Sequence, residues 1–265
     1  MNIERQEPRP SLCIGILTLN EAKNITRCIN SASFADEILV VDSGSTDNTC
    51  ELAKSLGAEV IIYADWQGFG EQRNRLLKHY TSDYIFFLDA DEVIPPELAK
   101  EIKQAVMINK PEVWETHWLE IAFGRPLNRV RSRKSLPRLF RKDMLVGFEG
   151  VVHESAKLTD PSTTRHRFAA PLLHYSRETV HDSLKKLTQY SMLGAAKRAR
   201  KNNKGGVIRG LLSSIWMFIR LYFFRLACLE GGPGFLYSFF ISLEFFFRQA
   251  ALRYDRAYLR DDIER

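Results

Sequence analysis

Four short stretches of the chain, LCIGILTL from Leu12, EILVVD from Glu37, AEVIIYA from Ala58 and YIFFL from Tyr84, are apolar at nearly every position. A strand with one wet face alternates apolar with polar residues, so a strand apolar on both sides must be covered on both. Between these stretches lie segments of helical character: NEAKNITRCINSA, with Ala22, Ile25, Cys28 and Ile29 on one face, NTCELAKSLG, closed by Gly57, and GEQRNRLLKHY. A fourth, PPELAKEIKQAVM, opens with prolines, which a first helical turn tolerates. Buried strands alternating with helices predict an α/β fold whose mostly parallel sheet is flanked by helices. Ligands bind such sheets beyond the carboxyl ends of the strands. The functional residues are therefore expected in the strand-to-helix turns of residues 11–107.

Those turns are polar in a suggestive order. The first strand runs into Thr18, Asn20 and Glu21, and the second into Asp42-Ser43-Gly44-Ser45-Thr46-Asp47. Taken singly, Asn20 reads as a helix cap and Asp42 as an Asx-turn residue. Arg73 and Asn74 of the third helix read singly as a solvated face. The fourth strand ends in Asp89-Ala90-Asp91-Glu92, where residues i and i+2 of an extended chain point the same way. Two carboxylates so placed repel unless a cation sits beside them. Oxygen ligands on one side only suit Mg2+ or Mn2+, which keep their other positions for water and a diphosphate. Glu92 is expected to begin the following turn.

The segments TLNE, VVDSGSTDNT, QRN and FLDADE, in this order, resemble the nucleotide-sugar-binding half of the family 2 inverting glycosyltransferases with the GT-A fold. PRLFRKD, FEGVVHE, the chain length and a basic aromatic tail resemble the bacterial lipopolysaccharide-core β-1,4-glucosyltransferases. The resemblance implies a GT-A domain over residues 1–180, with 11–107 holding the donor and 108–180 the acceptor. Thr18, Asn20, Glu21 and Asp42 would hold the uridine, with Arg73 and Asn74 at the nucleotide or its phosphates. Asp89 would face the ribose or the metal, and Asp91 would bind the cation bridging the diphosphate. The donor would be a UDP-sugar, UDP-glucose above all, and the acceptor a heptose of the lipid-linked inner core. Inversion also needs a base to take the acceptor hydroxyl's proton. The Glu-Asp pair common in that family's acceptor region is missing; the VHE segment offers Glu154 as the candidate base, with Glu149 as second choice. His153 is either a further metal ligand or the group that orients Glu154; alternatively both only satisfy local backbone groups. His174 and His181 are expected at the surface or in packing.

Residues 181–265 form a helical tail of different character. From Lys185 to Arg265 there are 15 Lys and Arg against 6 Asp and Glu, a balance of +9 in a chain whose total is +6, so residues 1–184 carry −3. The twelve Phe, Tyr and Trp between Trp216 and Phe247 demand much partner surface. The longest uncharged run, Gly231 to Leu243, falls short of the roughly 18 apolar residues of a simple membrane span. The tail is read as two helices joined at GGPG that lie on an anionic membrane surface, the alternative being a core-facing hairpin.

Arg125, Arg129, Arg131, Arg133, Lys134, Arg138, Arg141 and Lys142 make a second basic cluster. Phe140 is its one aromatic and no recognition helix is evident, which argues against nucleic acid. Phosphorylated inner-core sugars, anionic headgroups or plain solvation remain as readings. The cysteines, Cys13, Cys28, Cys50 and Cys228, form no CxxC pair, and the polar start MNIERQEPRP has no apolar core. A cytoplasmic protein, peripheral on the inner membrane, is expected. Two rivals stand beside the leading reading: a transferase acting on a polyprenyl-phosphate or other polysaccharide intermediate, and a non-catalytic nucleotide-sugar-binding scaffold.

Overall fold

The structure is a computed structural model and describes residues 9–130, 135–149 and 155–259. In chain order the main elements begin β1 (Leu12–Thr18), α1 (Ile25–Ser31), β2 (Glu37–Asp42), α2 (Thr49–Ser55), β3 (Glu59–Ile62) and α3 (Phe69–Leu77). There follow β4 (Tyr84–Asp89), β5 (Glu92–Val93), α4 (Pro96–Ile108), β6 (Val113–Thr116), β7 (Trp118–Ala122) and β8 (Arg125–Pro126). Then come β9 (Leu136–Arg141), β10 (Leu145–Glu149), β11 (Ser155–Leu158), β12 (Arg165–Arg167) and β13 (Leu172–Arg177). Three helices, α5 (Val180–Arg200), α6 (Val207–Ile219) and α7 (Gly231–Tyr254), complete the chain.

These residues form two compact units. The first holds the described residues within 1–118 and 133–174, the second those within 119–132 and 175–265. The first unit is built on a sheet that, among the described residues, has seven strands in the order β12-β6-β9-β4-β1-β2-β3. Neighbouring pairs are parallel from β4 through β1 and β2 to β3, and β9 runs antiparallel to both β4 and β6. This is the mixed, mostly parallel sheet expected, with β1, β2 and β4 largely buried; β3, at the sheet edge, is not covered on both faces, and its Ile62 is 55% exposed. Alternate residues of one strand feed opposite layers. Ile14, Ile16, Phe86 and Leu88 join Ile25, Ile29 and Ile102 on one face. Cys13, Leu17, Ile85 and Phe87 join Leu76, Phe140 and Phe148 on the other. The chain winds from β1 outward to β3 and returns to place β4 on the far side of β1, so the strand order switches between β1 and β4. Thr18 pairs with Asp42, and Leu17 with Asp89, which brings the carboxyl ends of three strands level at that switch.

Local differences from expectation have simple causes. The first helix starts at Ile25 rather than near Asn20, because Asn20 takes a left-handed conformation with φ 53°. Residues 113–123 form two strands, β6 and β7, rather than one. All four cysteines are free.

In the second unit α7 packs between α5 and α6. Thr179 caps α5, its hydroxyl accepting from the Asp182 N–H at 3.0 Å. The GGPG segment is not the joint between the last two helices: residues 231–234 form the first turn of α7, where a proline is tolerated. The joint is Arg220–Glu230, a wide π-type turn followed by a 3-10 turn, reversed at Leu226 with φ 58°. Gly234 lies so close to this joint that a Cβ there would sit 2.0 Å from the Ala227 carbonyl oxygen. Residues 119–132, counted from the sequence with the acceptor half, belong to this unit because Ala122, Leu127 and Val130 bury themselves against Ala227, Tyr222 and Tyr237.

Candidate active site

The carboxyl edge of the first unit's sheet is built from three turns. After β1, the Asn20 N–H donates to Ser45 Oγ at 2.8 Å and its Oδ1 accepts from the Thr46 N–H at 2.8 Å. The Glu21 N–H donates to Thr49 Oγ1, while its carboxylate accepts from Asn24 Nδ2 at 2.6 Å. After β2, the fully buried Asp42 accepts from the N–H groups of Gly44 and Ser45 at 2.8 and 2.7 Å and from Ser45 Oγ at 2.5 Å. Asp42 is thus the Asx-turn residue its type suggests, and Asn20 ties that turn to the first. Thr18 is 4% exposed, and its hydroxyl has no hydrogen-bond partner among the described residues.

The third turn, after β4, carries the densest charge. Asp89 Oδ1 lies 3.3 Å from Arg73 Nη2, and Oδ2 lies 2.9 Å from Arg138 Nη2. Burial pushes the Asp89 carboxyl up, but Arg138 and Arg73 outweigh it and hold it below the usual carboxylate range. Glu92 has no exposed surface. Its Oε1 accepts from Arg138 Nη2 and from Trp118 Nε1, both at 2.6 Å, and its Oε2 accepts from the Asp89 N–H at 2.8 Å. Burial pushes this carboxyl up to about 7 even though Arg138 pulls it down. Glu92 is therefore a buried hub under the site rather than the start of a turn.

Asp91 points elsewhere. Its Oδ2 lies 3.5 Å from His174 Nε2, and the His174 ring stacks on Trp118 with centroids 4.9 Å apart and planes at 28°. Pairing of β5 with β13, which sets Glu92 opposite His174, delivers that imidazole. His174 is thus both a packing residue, as expected, and a neighbour of the carboxylate cluster. The two carboxylates of Asp89-x-Asp91 have different partners, two guanidinium groups for one and an imidazole for the other.

Among the described residues no three His, Cys, Asp or Glu side chains converge on one point as a metal cage. Asp91 and His174 do fit a cation that takes few protein ligands. One oxygen and one nitrogen donor sit side by side, each side chain just under one-fifth exposed, leaving the other positions to water and phosphate oxygens. The engagement of Asp89 with Arg73 and Arg138 makes it a poorer ligand than its spacing suggests.

Arg73 and Asn74 are not on a solvated face. The Arg73 guanidinium lies over the rings of Phe87 and Phe148, at 5.1 and 5.6 Å. Asn74 Nδ2 donates to the Phe148 carbonyl at 3.0 Å and its Oδ1 accepts from the Phe148 N–H at 2.7 Å, clamping β10 to α3. Downstream of this clamp lie His153 and Glu154, which fall outside the described residues. Glu149, the second candidate base, forms a 3.2 Å ion pair with Lys157 in which both side chains are largely exposed.

The basic cluster of residues 125–142 is not one surface. Arg138 is buried beneath the site at 2% exposure. Arg141 grips Asp143 with two bonds of 2.7 Å, and Lys142 sits over the Tyr80 ring. Arg125 and Arg129 belong to the second unit, where the Arg125 guanidinium donates to the Glu230 carbonyl and the Arg129 backbone N–H to the Glu230 carboxylate. Arg131, Arg133 and Lys134 lie outside the described residues. The sequence missed Glu92, Arg138, Trp118 and His174 as one group because their contacts span up to 83 positions of chain.

The sequence is similar to that of known glycosyltransferases. The model of the family described as glycosyl transferase family 2 matches residues 13–144. An uncharacterized glycosyltransferase of Rickettsia bellii is 30% identical over 90% of this chain and 84% of its own length. The lipopolysaccharide core biosynthesis glycosyltransferase LpsC of Rhizobium meliloti is 26% identical over 92% of this chain and 94% of its own. Among solved structures, glucosyl-3-phosphoglycerate synthase of Mycobacterium tuberculosis, seen with Mn2+ and UDP-glucose, is 25% identical over 41% of this chain and 44% of that one, with a TM-score of 0.37.

Proposed function

The chain belongs to glycosyl transferase family 2, and on that premise we propose that it transfers glucose from UDP-glucose to a heptose of the lipopolysaccharide inner core, with inversion, at the cytoplasmic face of the inner membrane. The observation that carries the donor half of this reading is the level row of Thr18, Asp42 and Asp89 at the strand switch, with Asp91 and His174 beside it. The name of the Rhizobium meliloti relative supports the acceptor class.

Each side chain has a task in this reading. Asn20, Glu21 and Asp42 bind the uridine by fixing the two turns that line it, and the Thr18 hydroxyl supplies a direct bond to base or ribose. Arg73 neutralises Asp89 and faces the phosphates, Asn74 holds β10 beside it, and Asp89 meets the ribose. Asp91 and His174 hold Mg2+ or Mn2+, with His153 a further candidate ligand. The cation would stabilise the negative charge that UDP gains as the glycosidic bond breaks. Glu154 takes the proton of the attacking acceptor hydroxyl, a task for which the solvated, Lys157-paired Glu149 is less suited.

The deciding experiment measures UDP release by purified protein with a panel of UDP-sugars and deacylated inner-core lipopolysaccharide. Release is expected from UDP-glucose only, with acceptor and cation both required and EDTA abolishing it. Asp91→Ala is expected to lower turnover about a hundredfold or more. His174→Ala should instead raise the Mn2+ needed for half-maximal release by roughly tenfold or more. Release that ignores EDTA and tolerates Asp91→Ala would sink this reading of the carboxylates.

A further inference from the structure

The second unit leaves one helix face without a partner. The inner face of α6 is made of small groups: a Cβ on Gly210 would stand 3.0 Å from the Phe246 ring, and Ser213 bonds back to the Gly210 carbonyl at 3.0 Å. Its outer face carries Ile208, Leu212, Ile215 and Trp216, at 75, 65, 55 and 57% exposure, and continues into Phe223 and Phe224 of the following turn. Steps of three and four residues put the α6 side chains on a single stripe. A water-soluble surface has no reason to concentrate aromatic and branched side chains so.

The charge around the stripe says what covers it. From Lys197 to Leu229 the basic residues are Lys197, Arg198, Arg200, Lys201, Lys204, Arg209, Arg220 and Arg225, and Asp and Glu are absent. Lys197, Arg200, Lys201, Lys204, Arg209 and Arg220 are exposed. An apolar stripe flanked by cations matches the boundary between anionic headgroups and acyl chains, where tryptophan also settles. A second copy of this chain would bring the same cations against each other.

We propose that unit two docks on an anionic lipid bilayer through the outer face of α6 and the turn after it, lying in the interface and not crossing. The proposal rests on the membrane location argued above and assigns it to one helix face. By length and composition alone Val207–Phe224 and Ala227–Tyr254 could both span a membrane. Between Arg209 and Arg220, however, only ten residues are uncharged, roughly 15 Å of helix and half the hydrocarbon thickness. The α7 helix is held by other duties. It packs against both α5 and α6 and carries Glu244, buried in an ion pair with Arg177. Only 11% of the residues in the first segment are buried, against 39% of the apolar 18-residue stretch within the second, which marks α6 and its turn as the surface offered to lipid.

The test uses the full-length protein and phosphatidylcholine vesicles with or without phosphatidylglycerol. Co-sedimentation is expected only with phosphatidylglycerol, to weaken in high salt, and to fall at least tenfold in a Leu212→Asp, Ile215→Asp double variant. The fluorescence lost in Trp216→Phe should be quenched more by lipids brominated near the headgroup than deep in the chain. Thermal melting of the variants checks that these exposed substitutions leave the fold intact. Binding that is equal on both vesicles, resists salt and is quenched deeply would overturn the interfacial reading in favour of a span. Failure to bind vesicles, or a dimer in which Trp216 is shielded without lipid, would overturn it as well. UDP release on a water-soluble acceptor, measured in the same variants and expected unchanged, tests the transferase reading separately.

Discussion

Glu92 collects more obligations than any other side chain of the site: one oxygen serves Arg138 and Trp118, the other the Asp89 backbone. Removing it strands a buried indole N–H and takes from Arg138 one of its two carboxylate partners, leaving Asp89 as the other. Glu92→Ala is therefore expected to destabilise the first unit by about 1–3 kcal/mol in urea unfolding. Glu92→Gln, which keeps an acceptor for the indole and loses only the charge, should recover part of that loss. Equal loss in both would show that the charge on Glu92 does not matter. Asp89 illustrates the same physics from the other side. Two carboxylates at i and i+2 do demand positive charge, and here Arg73 and Arg138 supply it to one of them while the other turns to His174.

At the scale of elements, the strands explain the site's precision and one side chain explains its reach. The tips of β1, β2 and β4 are level because register in a parallel sheet is set by backbone pairing along the whole strand. Strand β10 has no such anchor in that sheet. It pairs with β11 and is fastened to α3 through both ends of the Asn74 carboxamide. Asn74→Ala should leave the Phe148 N–H and C=O without those partners, at about 1–3 kcal/mol. The signature is faster hydrogen exchange at the Phe148 amide, together with a loss of acceptor-dependent UDP release larger than any change in the KM for donor. A donor KM that rises while release at saturation is kept would mean that Asn74 meets the nucleotide directly, as the sequence resemblance implies.

For the whole molecule, the consequence lies in how the chain is shared between its units. Residues 119–132 sit in the middle of the sequence, yet Leu127 and Val130 are buried by side chains more than 90 positions downstream. A chain cut after Arg177 keeps this segment and deletes what covers it, exposing apolar surface. Such a truncation is expected to aggregate on size-exclusion chromatography, whereas the full chain stays soluble in mild detergent. A monodisperse, active truncation would show instead that residues 1–180 form a self-sufficient domain, the division the sequence suggests. The net charge adds to this picture, since the +9 of the tail against −3 elsewhere makes the second unit the part drawn to anionic surfaces.

The α/β class, the mostly parallel sheet, the edge where Asp42 and Asp89 stand and the apolar, basic nature of the last three helices all follow from local pattern. Strands apolar on both faces must be covered on both, the intervening helices supply that cover for a mostly parallel sheet, and a strand's own sequence says where it ends. Tertiary structure alone decided which distant residues meet there. His174 reaches Asp91, Arg138 reaches Glu92 and Asn74 reaches Phe148 because particular strands and helices became neighbours. It also decided that GGPG opens a helix and that α6, not α7, shows its apolar side. Periodicity is a property of adjacent residues, whereas these contacts close loops of 46 to 83 positions and depend on packing that no short window of sequence contains.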